Sequence, residues 1–416
     1  YQDMHGLRKY KYDFLDSNDI KTIKWKELKP SEPYYFFVEK DFSLQALYDK
    51  YFSVSEIFNK FSSGVQTHRD HFTVGFTKEE IIQRMRTFTS DLPDDLVKQA
   101  LDLKDTNDWK INEARDKVKK KDWVKSILSY SYRPFDIRYI CYRNELIDRN
   151  RIEIMQNFFY ENMGLALMKK PIPGNLTQVL SLTTLFDKNF YAYQSYLFPL
   201  YIYIYSHLDK KNLFNYKKER EEREEREERE SNINCKLLKI LSDTYKNQPS
   251  SEEIFYYIYA ILYSNIYREK YAEFLKIDFP RIPFIKKYNL FKEMAKFGGR
   301  LVGLHLLKST ELDPPLCKFQ GEGDNRVEKV RYEETEKRIY FNEKQYFEKI
   351  PQDIWKYQIG SYQVCRKWLK DRKDRCLSLE DITHYCKMVT ALQKSTEIQK
   401  EIDNIYEEVE KDIIKI

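Results

Sequence analysis

The chain has 416 residues, enough for two or three domains with separate cores. Its 72 basic and 66 acidic side chains leave a net charge of only +6, which excludes a histone-like basic tail, so any nucleic-acid contact must come from local clustering. Six cysteines without a CxxC pair, with no signal peptide or long uninterrupted apolar span before them, imply a reducing cytoplasm and no structural zinc.

Residues 1–60 read as strand and loop with short helices, and an opening at Tyr1 reads as a fragment or a processed chain. Residues 78–125 are helical in character: Ile81, Ile82, Met85 and Phe88 fall at helix spacing, and 94–103 form another short amphipathic piece. The period changes at 129–142, where Tyr130, Tyr132 and the run 138–142 favour strand and Arg133-Pro134-Phe135-Asp136 supplies the turn. Residues 165–205 are poor in charge and broken by Pro171, Pro173, Gly174 and Pro199, which fits several short strands. In 217–230 Arg recurs at 220, 223, 226 and 229 with Glu between and nothing apolar to bury, the pattern of a solvated insertion.

The organising stretch is 250–283. Ser250 and Glu253 have capping-box spacing, and 254–263 is apolar or aromatic on every face, so a helix there must be enclosed by other elements. Ser264 and Asn265 interrupt it, and 267–275 reads as a second, amphipathic helix with Arg268, Glu269, Lys270 and Glu273 toward water. Pro280 and Pro283 end that helix and leave Arg281 between them as a charged hand. Further on, 290–307 reads as helix, 312–323 as loop, 327–330 and 338–341 as paired strands, and 352–375 as mostly helical, ending in a basic run. Residues 378–416 form one or two helices whose apolar face (Ile382, Tyr385, Val389, Leu392, then Ile398, Ile402, Ile405, Val409) docks on its own protein in preference to a dimer seam. The fold class is α+β: mixed short strands and helices, a buried helical pair and a helical C-terminus.

Five strings occur in a familiar order: SGVQTHRDHFTV (63–74), YSYRPFDIRYICY (130–142), SYLFPLYIY (195–203), YIYAILYSNIYREKYAEFLKIDFPRIP (257–283) and YQIGSYQVCRKWLKDR (357–372). With them the chain, from about residue 20 to 385, resembles the C-terminal part of the type ISP and related type IIG restriction-modification enzymes, which join an N6-adenine DNA methyltransferase to a target-recognition domain. The resemblance implies three parts. Residues 1–60 are the trailing edge of a methyltransferase core and a connector; 61–310 are the DNA target-recognition domain, with the charged insertion; and 311–416 carry a strand pair, a basic helix and packing helices. It implies sequence-specific binding of double-stranded DNA, with a methyltransferase catalytic domain as partner in the same polypeptide or in trans. S-adenosylmethionine is implied for the parent enzyme and no cofactor for this chain.

Methyltransferase motifs are not intact here. Asp313-Pro314-Pro315 is followed by Leu316 where a base-stacking aromatic is needed, and Gly321-Glu322-Gly323 follows no hydrophobic strand, so both read as loops. Glu27-Leu28-Lys29, with Asp16 and Asp19 upstream, has the tail of a metal-dependent nuclease at a spacing that so charged a chain produces by chance, and His68 with His71 lacks a third ligand. No catalytic or metal-binding residue is assigned. Nucleic-acid contact has more support: Arg133, Arg138, Arg143, Arg149 and Arg151 lie among aromatics and prolines, a mixture suited to phosphate positioning and base contact. Arg366, Lys370 and Lys373 share one face if helical, while Arg69, Lys169, Lys170 and Arg281 add smaller basic points. The alternatives are exposed faces balanced by nearby Glu and Asp, with Arg133 and Asp136 merely locking a turn; a nuclease fragment around Glu27 and Lys29; and an interdomain scaffold that binds no DNA.

Overall fold

Helix α1 (Arg8–Ser17) buries none of its ten residues. It belongs to a first unit, Tyr1–Asp49, which is closed by a backbone pair between Tyr1 and Lys26 and by the Trp25 indole donating to the Ile20 carbonyl at 2.7 Å. The second unit is Lys50–Ile416. The computed structural model describes residues 1–30, 32, 35–38, 40–170, 179–204 and 228–414. The insertion 217–230 lies outside the described residues as far as 227, as do 171–178 of the stretch 165–205.

In the second unit, strands β1 (Ser62–Ser63) and β2 (Val74–Gly75) lead to three helices, α2 (Lys78–Thr89), α3 (Asp94–Leu101) and α4 (Ile111–Lys119). Thr77 caps α2 by accepting from the Glu80 amide, and Ile81, Met85 and Phe88 fall on its buried face, as their spacing predicts. They join Val97, Ile111, Val118 and Trp109 in one apolar cluster. Strands β3 (Ile127–Arg133) and β4 (Asp136–Cys141) form the expected hairpin, turned at Pro134 and Phe135, where Phe135 takes φ 59°. Then come β5 (Gly164–Met168), β6 (Val179–Leu182), β7 (Leu185–Phe186) and β8 (Ser195–Pro199). They complete two four-stranded sheets, β1-β8-β5-β6, antiparallel throughout, and β2-β4-β3-β7, in which β3 and β7 run parallel. All five residues of β5 are buried, so its apolar run covers both faces.

Helix α5 (Ser251–Tyr263) starts at the Ser250–Glu253 capping box and is buried from Ile254 to Tyr263 except at Tyr256. Against it packs α6 (Tyr288–His305). A Cβ on Gly298 would lie 1.8 Å from the Tyr256 carbonyl oxygen, so only glycine lets the two backbones approach this closely. Burying side chains of the Ile, Leu and Phe type contributes about 1.5–3 kcal/mol each, so this pair adds substantially to stability. A third antiparallel sheet follows, from β9 (Lys318–Gln320), β10 (Arg331–Glu333), β11 (Arg338–Tyr340) and β12 (Tyr346–Glu348), in the order β9-β12-β11-β10. Helix α7 (Val364–Lys370) precedes α8 (Leu379–Val409), one helix of 31 residues with its own capping box at Ser378 and Asp381. α8 docks on its own chain: Asp403 accepts from the Ser264 hydroxyl at 2.8 Å, and Ser395 meets His305 at 2.9 Å.

Five expectations need correction. The helix expected over 267–275 starts earlier, at Asn265 under a Ser264 cap, and breaks at Tyr271. Arg268 is not on its wet side: the side chain is buried, its Nε donates to the Leu262 carbonyl at 2.6 Å, and the guanidinium lies over the Tyr263 ring. The strand partner of β11 is Arg331–Glu333, not 327–330, because Val327 uses its backbone on Asp374 and Arg375. The loop 312–323 contains strand β9, and 352–375 is interrupted by a hairpin, Gln358–Ile359 with Tyr362–Gln363, turned at Gly360 with φ 62°.

Candidate nucleic-acid interface

The arginines nearest the β3–β4 turn have their charges met inside the molecule. Both oxygens of the buried Asp136 are taken: Arg138 donates to Oδ2 at 2.9 and 2.7 Å, and Arg372 to Oδ1 at 3.0 Å. Burial opposes ionisation of Asp136, but Arg372 and then Arg138 outweigh it and hold the carboxyl below its ordinary value. The Arg138 guanidinium is bracketed by the Phe76 and Tyr132 rings, each 4.1 Å away, and Arg372 stacks on Trp368 at 3.5 Å. Arg133 donates to Asp187 at 2.8 Å and covers Tyr132. Asp187 also accepts from the Tyr130 hydroxyl and the Asn189 amide. Arg143 pairs with Glu145, and Arg69 pairs with Asp148 and lies over Trp109. At the surface, Lys169 pairs with Asp278, and Arg281 donates to the Tyr51 carbonyl and reaches Glu56.

The other predicted cations have no such commitment. Arg149, Arg151, Lys170, Arg366, Lys370 and Lys373 are exposed and make no ion pair among the described residues. Arg366 and Lys370 share a face of α7 at i,i+4, whereas Lys373 lies in the turn beyond the helix. Arg149 and Arg151 stand on a loop that the fold holds rigidly. Its backbone is bonded to Gln66 in both directions at 3.0 Å, and the Tyr142 hydroxyl donates to the Asn150 carbonyl at 2.5 Å. Asp148 is gripped by Arg69 and by His68, while Leu146 and Ile147 bury themselves beneath. Asn150 donates its side-chain amide to the Asn144 carbonyl oxygen at 2.5 Å.

This loop is a ridge between two clefts of about 860 and 1140 Å³, and Asn144, Ile147, Asp148 and Arg149 line both. The first cleft sets Lys104 against Asp102 and Asp108; the second adds Lys60 and Arg151 against Glu153, so the cation excess lies on the second side. A rigid backbone with unpaired cations and amides on its crest can meet phosphates and base edges without ordering a mobile loop. Lys60 and Asn144 are not among the residues read from sequence. The run RNELIDRNR (143–151), with amides beside arginines, held the signal, since these are the side-chain types that read purine edges.

The remaining motifs do not assemble into chemistry. His68 faces Asp148 and Gln66, whereas His71 faces the Asp102 carbonyl, and among the described residues no group of three His, Cys, Asp or Glu could hold a metal. Asp313 pairs with Lys387, and the space beside Gly321 is filled by the Lys344 and Gln345 backbone. Among the described residues, no helix is long and apolar enough to cross a membrane.

A family model described as the Type ISP C-terminal specificity domain matches residues 56–401. No curated protein matches the chain. Three solved structures share its fold. A cryo-EM structure of a DrdV–DNA complex is 22% identical at a TM-score of 0.71, over 96% of this chain and 42% of that one. A nuclease-deletion mutant of the Type ISP restriction-modification enzyme LlaGI, in complex with a DNA substrate mimic, is 19% identical at a TM-score of 0.66, over 95% and 32%. The ATP-dependent Type ISP restriction-modification enzyme LlaBIII bound to DNA is 20% identical at a TM-score of 0.65, over 85% and 24%. The chain thus spans less than half the length of each of these.

Proposed function

The chain belongs to the Type ISP C-terminal specificity domain family, and from that premise we propose that it recognises a sequence in double-stranded DNA on behalf of a larger restriction-modification enzyme. The observation that carries the reading is the braced ridge with Arg149 and Arg151 exposed and unpaired. The structures that share its fold are described as DNA complexes, which supports it. Arg366, Lys370, Lys373 and Lys170 add phosphate contacts, while Arg69, Arg133, Arg138 and Arg143 brace the scaffold that presents them.

Methyl transfer to adenine from S-adenosylmethionine belongs, in this reading, to a catalytic domain in the same polypeptide or in trans. The first unit supports a partner of that kind: Leu7, Tyr10, Ile20 and Phe37 each expose about three quarters or more of their surface, apolar area that a domain interface would cover. Residues 61–310 act as the reader, and 311–416 buttress it.

The test is a mobility shift of the chain on random-sequence duplexes at two salt concentrations, with the retained DNA sequenced. Retention that weakens with salt and enriches a motif is expected. Absence of retention at both salts rejects the proposal.

A further inference from the structure

The ridge allows a finer statement, which rests on the DNA-recognition reading above. We infer that Arg149 is a specificity-determining residue, reading a guanine in the major groove, and that Arg151 and Lys60 bind the phosphate backbone of one strand along the second cleft.

The argument is positional. Of the four residues that line both clefts, Ile147 is buried and Asp148 is held by Arg69 and His68, which leaves the exposed Arg149 and Asn144 on the crest, whereas Arg151 and Lys60 line only the second cleft and stand on its flank. When a ridge enters a groove, its crest meets the groove floor, where the base edges are, and its flanks meet the sugar-phosphate walls. In the first cleft Lys104 and the Asp148-bound Arg69 are matched by Asp102 and Asp108, whereas in the second Lys60 and Arg151 outnumber Glu153, so phosphate is drawn to the second side.

The donor inventory then selects the base. Arg149 offers only N–H donors, and its side chain has no hydrogen bond or ion pair among the described residues. Asn144, also exposed, has its side-chain carbonyl oxygen engaged by Asn150, which leaves its NH₂ group as a further donor. A crest of donors matches N7 and O6 of guanine, the acceptor pair that arginine takes with two hydrogen bonds, and only the major groove presents it. Backbone bonds to Gln66 on both sides of Arg149 set the height of the crest.

The experiment selects binding sites from random duplexes with the full chain and with Arg149→Ala, Arg149→Lys, Arg151→Ala and Lys60→Ala, and measures affinity against salt on the selected site. The wild type enriches a motif with at least one strongly guanine position. Arg149→Ala and Arg149→Lys both lose preference at that position, by about ten- to hundredfold on the selected site, since lysine keeps the charge and loses the two-pronged geometry. Arg151→Ala and Lys60→Ala keep the whole motif, bind all sequences more weakly, and reduce the salt slope by about one each. An Arg149→Ala chain that keeps the wild-type motif and weakens uniformly overturns the assignment of Arg149 and leaves DNA recognition standing. A wild-type chain that binds but enriches no motif overturns sequence recognition and this inference with it.

Discussion

Arg138 and Arg149 lie close together in sequence and end in opposite states. Arg138 sits between two aromatic rings with its charge bound by the buried Asp136 and by Asp371; Arg149 stands on a braced ridge with no carboxylate paired to it, its neighbour Asp148 being held by Arg69 and His68. The aromatic and proline setting that both share did not decide this. The carboxylates did, and Asp371 and Arg372, which close the first network, come from the other end of the chain. An arginine-rich stretch is a binding surface only where the fold brings it no acid.

The comparison breaks most visibly at Asp136. Asp136→Ala strands Arg138 and Arg372 in a buried site, and the loss of a paired buried charge costs about 3–5 kcal/mol. Urea denaturation will read this as a lower midpoint, with DNA affinity per folded molecule unchanged.

A second break comes with acid. Burial, reinforced by Arg268, pushes the pKa of His305 down to about 3. The unfolded chain takes up a proton near pH 6.5, which the native state refuses, so stability falls as pH drops from about 6.5 toward 3. Asp136 adds a loss at lower pH: its folded pKa is depressed, so its contribution is present above the ordinary aspartate value and disappears as pH falls through the folded one. Denaturation curves across pH 3–7 will show a shallower slope for His305→Gln than for the wild type.

On the ridge the effect on stability is small. Arg149→Ala and Arg151→Ala change unfolding free energy by less than about 0.5 kcal/mol, as exposed, unpaired side chains do. The smallest effect belongs to α7, where Arg366→Ala and Lys370→Ala each lower the salt dependence of DNA binding by about one and leave any selected motif intact. A changed motif there would move the reading surface from the ridge to the helix.

Much of the framework was legible in the sequence because it is local. The capping boxes at Ser250 and Ser378, the all-round apolar run of α5, the spacing of Ile81, Met85 and Phe88, and the turn between β3 and β4 all depend on neighbours within a few residues. What escaped depends on how the chain folds back on itself. Arg268 reads as solvent-facing until Leu262 and Tyr263 fold back over it, and 327–330 reads as a strand until Val327 is claimed by Asp374 and Arg375. The twelve basic candidates divided for the same reason: their residue type was visible, but the acids that meet Arg69 and Arg133 lie 79 and 54 residues away, and the Asp136 that holds Arg138 is shared with Arg372, 236 residues further on.

The most direct test measures Arg138→Ala and Arg151→Ala side by side, each by urea denaturation and by affinity for a selected duplex. The account predicts a crossed result: Arg138→Ala loses stability and, once folded, binds DNA as the wild type does, whereas Arg151→Ala keeps its stability and binds more weakly. An Arg138→Ala chain with wild-type stability and impaired binding would contradict it, placing the paired arginines on the DNA and the ridge away from it.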